Sequence, residues 1–342
     1  MQENNLDLFL INKPENIFYL SGFTGGSDAR LVISPDQRYL LTDARYLEQA
    51  GRECPDWSLI REDVGRLDSL AGICDKYYSL AFESHYLTYD QFQSLTARLN
   101  PKLMPLENTI ERFRVVKDKT ELNLLRASAQ VSDDVFAAIC QEILPGISER
   151  HIAARIAFLL REGGCSQEAF STIALAGENG VLPHGQPGDR LLQRGDMLTL
   201  DFGGFYRSYA GDMTRTVVVG EASSQLRDIY RQVLESQELG VSLVQAGASC
   251  RDIDSQVRNC LKKYSLDQYF QHGTGHGVGL EIHEMPRISP LSDAILEENM
   301  VVTIEPGVYI PGWGGIRIED TVIVKKGGCE IITHSDKGLL II

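Results

Sequence analysis

The chain has 342 residues, enough for two domains, and its 43% hydrophobic and 8% aromatic content is typical of a globular α/β protein. Its formal net charge of −14 argues against nucleic acid or an anionic membrane as a partner, because both repel an acidic surface. The seven irregularly spaced cysteines and the lack of a basic segment in residues 1–5 lead us to expect reduced thiols and a cytoplasmic location.

Residues 1–112 alternate strand-like with helix-like segments, which predicts a small α/β domain. The predicted strands and helices lie at residues 6–11, 29–34, 39–42, 46–51 and 89–99. Residues 107–117 read as a connection to a long helix that begins near Lys119. We therefore predict an N-terminal domain at 1–114 and a second domain at 115–342.

The second domain contains an internal duplication. Pairs of helices are predicted at residues 119–143 and 148–162, and again at 224–244 and 250–264. Each pair is followed by a strand that ends on a carboxylate, and the segment DMLTLD, ending at Asp201, aligns by eye with MVVTIE, ending at Glu305. A duplication of αα-ββ halves around a pseudo-two-fold axis would bring the two carboxylate hairpins face to face.

Four carboxylates and one imidazole lie in glycine-rich, strand-like sequence: Asp201, Asp212, His276, Glu305 and Glu319. A carboxylate at the end of a buried strand is costly unless it is paired or bound to a cation. One Asp or Glu beside a glycine is more often a turn former or a surface charge. Five together inside a duplication favour a shared site, and an oxygen-rich set suits two divalent ions better than one tetrahedral zinc.

Four of the seven histidines are flanked by glycine or proline, or lie close to such a motif: His184, His272, His276 and His283. Glycines around an imidazole let the backbone approach a site closely. The remaining histidines, His85, His151 and His334, have no such setting and are interpreted as surface or structural residues. A single histidine is more often structural than a ligand, and this alternative keeps most weight for His272.

These motifs resemble those of the aminopeptidase P and prolidase family of dinuclear metallopeptidases. The N-terminal stretches YLSGFTG and LTDARY resemble the small domain that precedes the catalytic domain in that family, and that methionine aminopeptidase usually lacks. The resemblance implies an α+β protein. Its pita-bread catalytic domain, built from duplicated αα-ββ halves around an antiparallel sheet, would follow a smaller α/β creatinase-type domain.

The resemblance also implies a metal-binding role for each of the five residues. The residue matching Asp201 binds one metal, those matching Asp212 and Glu319 bridge both metals, and those matching His276 and Glu305 bind the other. We therefore expect two divalent metal ions per chain. Manganese is favoured by the oxygen-dominated ligands, although Co²⁺, Fe²⁺ or Zn²⁺ could occupy the same site.

Further residues match positions that contact the substrate in this family: His184, His272, His283 and Arg317. His184 and His283 match the two histidines that stabilise the transition state. We expect catalysis to depend on His184, His283, Glu305 and Arg317.

The favoured hypothesis is hydrolysis of the Xaa–Pro bond in peptides with proline at the second position. Two metals held by shared carboxylates would lower the pKa of a bridging water and supply a hydroxide at neutral pH. His283 would polarise the developing oxyanion, and Glu305 would carry a proton to the leaving nitrogen. The motifs leave open whether the enzyme is an aminopeptidase or a prolidase restricted to dipeptides. The GFTGG and TDARYLEQA stretches favour aminopeptidase P, and the resemblance implies a homodimer.

Two hypotheses from other classes remain. A catalytically silent relative would use the fold only to bind peptides or proteins, and a creatinase-like enzyme would cleave a C–N bond without a metal. Such proteins do not need five metal-ligating residues, so retention of the full set disfavours both. Metal analysis of the purified protein would separate the alternatives.

Overall fold

The computed structural model describes residues 6–63 and 65–342, so residues 1–5, which entered the localisation argument, lie outside the described part. The chain divides into two compact units, Met1–Arg114 and Val115–Ile342. None of the helices in the described ranges has the length and hydropathy needed to cross a membrane. All seven cysteines are free thiols, and six of them are buried.

The first unit is a mixed sheet with helices. Its described residues form six strands, β1 (Leu8–Ile11), β2 (Ala29–Ile33), β3 (Arg38–Thr42), β4 (Ser58–Arg61), β5 (Ser79–Glu83) and β6 (Lys102–Leu106). Their order is β4-β3-β2-β1-β5-β6, with antiparallel pairing around β2 and parallel pairing elsewhere. Its helices are α1 (Pro14–Ser21), α2 (Leu47–Glu53), α3 (Asp68–Cys74), α4 (Tyr89–Arg98) and α5 (Glu111–Val115).

Both faces of this sheet are covered by apolar side chains. Phe9 and Ile11 of β1 enter one core cluster, and Leu8 and Leu10 enter another, as the two-residue period of a strand requires. The α/β character predicted for this region is confirmed. The strands β4, β5 and β6 were not predicted. The strands β4 and β6 are partly exposed edge strands and β6 contains Pro105, whereas β5 is a short, fully buried segment without alternation of apolar and polar residues.

The second unit begins its two halves with helix pairs. The helices are α6 (Lys119–Ile139), α7 (Glu149–Glu162), α8 (Ser224–Leu243) and α9 (Cys250–Lys262), each within a few residues of its predicted position. Each helix starts at a side chain that accepts a hydrogen bond from the first turn: Asp118, Ser148, Ser223 and Ser249.

Antiparallel strands follow each helix pair. The first half contains β7 (Ile173–Ala176), β8 (Met197–Phe202), β9 (Phe205–Tyr206), β10 (Tyr209–Ala210) and β11 (Met213–Val218). The second half contains β12 (Gly275–Gly277), β13 (Glu284–Ile288), β14 (Val301–Ile304), β15 (Gly307–Ile310), β16 (Gly314–Arg317), β17 (Asp320–Lys325) and β18 (Gly328–Ile331). The main sheets have the orders β11-β8-β7 and β13-β12-β14-β17-β18. The duplicated αα-ββ arrangement is confirmed.

Close packing positions the strands of the second half. A Cβ atom on Gly240 of α8 would lie 2.8 Å from Ile304 Cγ2 and 2.9 Å from Val257 Cγ2. Because such distances are shorter than normal van der Waals contact, only glycine lets α8 lie this close to β14 and α9. The end of β14, from which Glu305 projects, is thereby fixed against the buried face of α8.

Candidate metal centre

Two antiparallel strand pairs bring the four carboxylates together. Asp201 lies in β8 and Asp212 immediately precedes its partner β11, whereas Glu305 follows β14 and Glu319 immediately precedes β17. The Glu319 backbone nitrogen donates to the carbonyl oxygen of Thr214 at 3.2 Å, which joins the two strand pairs. The face-to-face arrangement expected from the duplication therefore brings carboxylates from both halves to one place.

Glycines allow the backbone to approach closely at this point. A Cβ atom on Gly203 would lie 1.8 Å from the carbonyl oxygen of Gly211, and one on Gly275 would lie 1.9 Å from that of Thr303. No other residue fits at these distances. The first contact closes the segment between Asp201 and Asp212, and the second holds β12, with His276, against β14.

His276 is oriented towards the carboxylates. Its Nε2 lies 3.5 Å from Asp212 Oδ2 and 3.3 Å from Glu305 Oε1. Its Nδ1 lies 3.1 Å from the carbonyl oxygen of Gly277, an acceptor, so Nδ1 carries the proton and Nε2 is the nitrogen available to a metal. Ligand atoms of Asp212, His276 and Glu319 all lie within 4.8 Å of one another, close enough to hold one cation.

Two buried oxygens at this centre accept no hydrogen bond from the described residues: Asp201 Oδ1 and Glu319 Oε1. Buried polar atoms in proteins almost always have a partner, so these oxygens require one. Burial raises the pKa of Asp201, and burial together with neighbouring carboxylates raises the pKa values of Asp212 and Glu319 well above their ordinary values. Divalent cations would satisfy the oxygens and offset the repulsion, so the residues present fit such ions.

Glu305 and His276 form a charged pair within the cluster. Burial acts to raise the pKa of Glu305, but the hydrogen bond and charge of His276 lower it to about 2. Burial acts to lower the pKa of His276, but Glu305 raises it overall. Since a metal binds the neutral imidazole, occupation of Nε2 by a cation must displace the proton of this pair.

A hydrogen-bonded chain runs from Asp201 to His272. Arg317, which is 3% exposed, donates from Nη2 to Asp201 Oδ2 and from Nη1 to the Tyr309 hydroxyl at 2.6 Å. That hydroxyl lies 2.8 Å from His272 Nε2, while His272 Nδ1 lies 2.8 Å from the carbonyl oxygen of Gly273. Arg317 thus orients Asp201 through a charge-assisted bond, and Tyr309 couples His272 to Arg317.

A cavity of about 510 Å³ opens onto the cluster. It is lined by all nine residues expected at the site from the sequence: His184, Asp201, Asp212, His272, His276, His283, Glu305, Arg317 and Glu319. The His283 ring packs edge-on against His276, with 4.3 Å between ring centroids. Burial and the neighbouring His276 lower the pKa of His283, which favours its neutral form. The cavity therefore combines a cluster of carboxylates that can bind cations with an imidazole, His283, whose neutral form is favoured.

Sequence reasoning missed three contributors. Thr214 donates from Oγ1 to Glu319 Oε2 at 2.7 Å, and Tyr309 links His272 to Arg317. Arg287 of β13 pairs in register with His276 and lines the cavity. The signal for Thr214 and Arg287 was present, since each lies near a predicted site residue in the chain. Tyr309 carried no such signal.

Comparison with known proteins identifies the family. Residues 123–326 match the metallopeptidase family M24, and residues 1–116 match the creatinase/prolidase N-terminal domain. The chain belongs to the metallopeptidase family M24. This confirms the resemblance inferred from the motifs. It also identifies the chain as a peptidase of a family that uses divalent metal ions.

Relatives of this M24 peptidase cover nearly its whole length. The Xaa-Pro dipeptidase of Pyrococcus furiosus is 35% identical over 341 residues, 99% of this chain and 97% of that protein. A solved structure named Xaa-Pro dipeptidase, from Bacillus anthracis, has a TM-score of 0.96 and 37% identity and covers 100% of this chain and 96% of that one. A solved X-Pro aminopeptidase from Thermotoga maritima has a TM-score of 0.92 and 34% identity, with 98% of each chain covered.

Proposed function

We propose that this M24 peptidase is an Xaa-Pro dipeptidase, which cleaves dipeptides whose second residue is proline. Two of the relatives described above carry that name, so the dipeptidase alternative has better support than the aminopeptidase activity favoured by the N-terminal motifs. The Thermotoga maritima relative, named X-Pro aminopeptidase, keeps that activity as the second candidate.

The observation that carries the proposal is the position of Arg287. It lines the cavity, lies opposite His276 in the β12–β13 register, and is exposed. Its guanidinium forms no ion pair with the residues that the structure describes, whereas most other arginines of this unit pair with carboxylates. A guanidinium matches a carboxylate through two parallel hydrogen bonds. A dipeptide presents its free carboxylate one residue beyond the scissile bond, so Arg287 is the group that would bind it.

The proposed roles of the other residues follow from their chemistry. Asp201, Asp212, His276, Glu305 and Glu319 would hold two divalent ions, with Mn²⁺ favoured. When bound, the ions supply charge stabilisation and a water nucleophile at neutral pH. His283 would donate a hydrogen bond to the oxygen that gains charge, and His184 would assist in binding the substrate. Glu305 transfers a proton to the leaving prolyl nitrogen, and Arg317 keeps Asp201 in place.

Substrate length tests the proposal. We expect Ala-Pro and Met-Pro to be cleaved far faster than Ala-Pro-Ala, with Ala-Ala much slower than Ala-Pro because the site accommodates the proline ring and its tertiary nitrogen. Acetylation of the substrate amino group should suppress cleavage. Values of kcat/KM from product analysis give the result. Faster cleavage of Ala-Pro-Ala would establish the aminopeptidase instead, and equal cleavage of acetylated substrates would rule out both exopeptidases.

Replacement of Arg287 tests the carboxylate contact. A hydrogen bond to a charged group contributes about 1.5–3 kcal/mol, so Arg287→Met should raise KM for Ala-Pro by roughly 10–100-fold. The same variant should change KM for Ala-Pro amide little, since the amide has no negative charge. Arg251→Met is the matched control, because Arg251 is a half-exposed arginine outside the cavity lining. An equal rise in KM for both substrates would show that Arg287 does not bind the carboxylate of the dipeptide.

Three further properties belong to the proposal. Elemental analysis should find about two divalent ions per chain, whereas none under metal-replete conditions would support a silent binding protein. The homodimer implied by the resemblance can be checked by light scattering. The cytoplasmic location expected from the free cysteines can be checked by cell fractionation.

A further inference from the structure

A second buried charge cluster adjoins the metal centre. Its central anion is Asp320, which is 0% exposed and immediately follows Glu319. Asp320 Oδ1 accepts from Arg215 Nη2 and Thr333 Oγ1, both at 2.9 Å. Asp320 Oδ2 accepts from Gln237 Nε2 at 3.0 Å and from Lys337 Nζ at 2.6 Å. Every lone-pair direction of this carboxylate is therefore used, in contrast to the carboxylate of Glu319.

The cluster is connected to Glu319 through the backbone and through Arg215. The Arg215 Nη1 donates to the carbonyl oxygen of Glu319 and, at 2.9 Å, to that of Thr214. Thr214 in turn donates from Oγ1 to Glu319 Oε2. Asp320 is paired in register with Ile304, so the same cluster also borders the strand that presents Glu305. Movement of Asp320 would consequently shift the carboxylate of Glu319.

Lys337 links this cluster to the last ten residues of the chain. Its ammonium donates to both Asp320 Oδ2 and Gln237 Oε1, the latter at 2.9 Å. Neighbouring residues of the same segment are also anchored, because Ser335 donates to Asp133 from its backbone at 2.7 Å and its hydroxyl at 2.6 Å. A side chain from the C-terminal segment thus reaches a carboxylate adjacent to the metal centre.

We propose that Lys337 and Gln237 are positioning residues that act through Asp320 to hold Glu319 in the geometry that binds a divalent cation. The inference rests on the proposed metal-binding role of Glu319. Arg215 and Lys337 carry two positive charges against the single charge of Asp320. Loss of the Lys337 charge would by electrostatics alone strengthen the binding of a cation nearby. Loss of positioning would weaken it, so the two effects have opposite signs.

Titration of metal-free protein with MnCl₂ distinguishes the effects. Lys337→Met should weaken Mn²⁺ binding by roughly 10–100-fold, the usual cost of losing a residue that orients a metal ligand. Lys337→Arg should restore most of the affinity. Lys326→Met is the control, because Lys326 is 83% exposed and pairs with the surface residue Glu298. The unfolding midpoint of each metal-free variant is measured alongside, since a residue with a purely structural role would lower that midpoint and leave Mn²⁺ affinity unchanged.

Gln237→Met provides a second test that changes no charge. It removes hydrogen bonds to Asp320 and Lys337, and it should also weaken Mn²⁺ binding. If circular dichroism shows that Lys337→Met does not fold, Mn²⁺ binding by Gln237→Met becomes the deciding measurement. Unchanged or tighter Mn²⁺ binding in the folded variants would overturn the inference and leave the proposed function intact. Failure of the unmodified protein to bind any of Mn²⁺, Co²⁺, Fe²⁺ and Zn²⁺ would overturn the proposed function and the inference together.

Discussion

The two halves of the second unit, residues 119–218 and 224–331, repeat one arrangement of two helices followed by an antiparallel strand pair. Each half contributes two carboxylates to the candidate metal centre. Their histidines differ, because the first half contributes only His184 to the cavity and the second contributes His272, His276 and His283.

The difference comes from the connections between helices and strands. In the first half the segment after α7 forms β7 and a loop that carries His184. In the second half the segment after α9 carries His272 and forms the β12–β13 pair, which carries His276 and the turn with His283. The repeated framework therefore supplies matched negative charge, while the unmatched connections supply the histidines that line the cavity.

Replacement of a carboxylate in either half should cause the largest loss of activity. Asp212→Asn in the first half and Glu319→Gln in the second should each lower activity by at least about 10³-fold, since a metal supplies several kcal/mol of charge stabilisation. Elemental analysis should show loss of metal in both variants. Asp189→Asn, a surface substitution on a side chain that is 82% exposed, is the control. A variant that keeps its metal and near-normal turnover would show that its half does not share the cluster.

Replacement of the histidines that line the cavity should cause a smaller loss of activity than replacement of the carboxylates. His283→Ala should lower kcat by ~10²–10³-fold without loss of metal, because a donor to developing charge acts mainly in the transition state. His184→Ala should act more on KM. His151→Ala, at an exposed position of α7, is the control. A normal kcat for His283→Ala would show that His283 has a structural role and does not take part in catalysis.

Removal of an ion pair that joins the two halves should have the smallest effect, a small loss of stability. Arg126 of α6 binds Glu330 of β18 through bonds of 2.6 and 2.8 Å, and both side chains are more than a third exposed. Allowing for solvent screening, Arg126→Met should lower the free energy of unfolding by about 0.5 kcal/mol at pH 7. The Arg155–Glu142 pair, similar in geometry and exposure but confined to the first half, is the matched comparison.

The pH dependence of this effect has a definite sign. The hydrogen bond from Arg126 lowers the pKa of Glu330 below its ordinary value of 4.5. A carboxyl group whose pKa is lower in the folded state stabilises the protein at pH values above its pKa in the unfolded state. This stabilisation is lost as the pH falls through the pKa of the folded state. Urea unfolding at several pH values should therefore show the difference between Arg126→Met and the unmodified protein fading in acid. Two separate transitions, with Arg155→Met affecting only one, would show that the halves unfold independently.

The sequence was sufficient for features that depend on neighbouring residues. Carboxylates at or near the end of a strand and two residues before a glycine, such as Asp201 and Glu305, carry their signal within a few residues, as do helices with Ser or Asp caps. The pairing of the site residues with one another was not predictable in the same way. Thr214 lies near Asp212 in the chain but bonds Glu319, 105 residues away, and Arg317, expected to contact the substrate, bonds Asp201, 116 residues away. Such contacts arise only when the two halves meet.

The unsatisfied oxygens of Asp201 and Glu319 also concern the amount of this protein that a cell can maintain. A cation that binds the folded chain and not the unfolded one raises the free energy of unfolding. The increase grows with the logarithm of the cation concentration and is about 2.7 kcal/mol at one hundred times Kd. Metal scarcity would therefore enlarge the unfolded fraction that proteases remove. If these carboxylates hold the ions as proposed, they tie the abundance of the peptidase to the supply of metal.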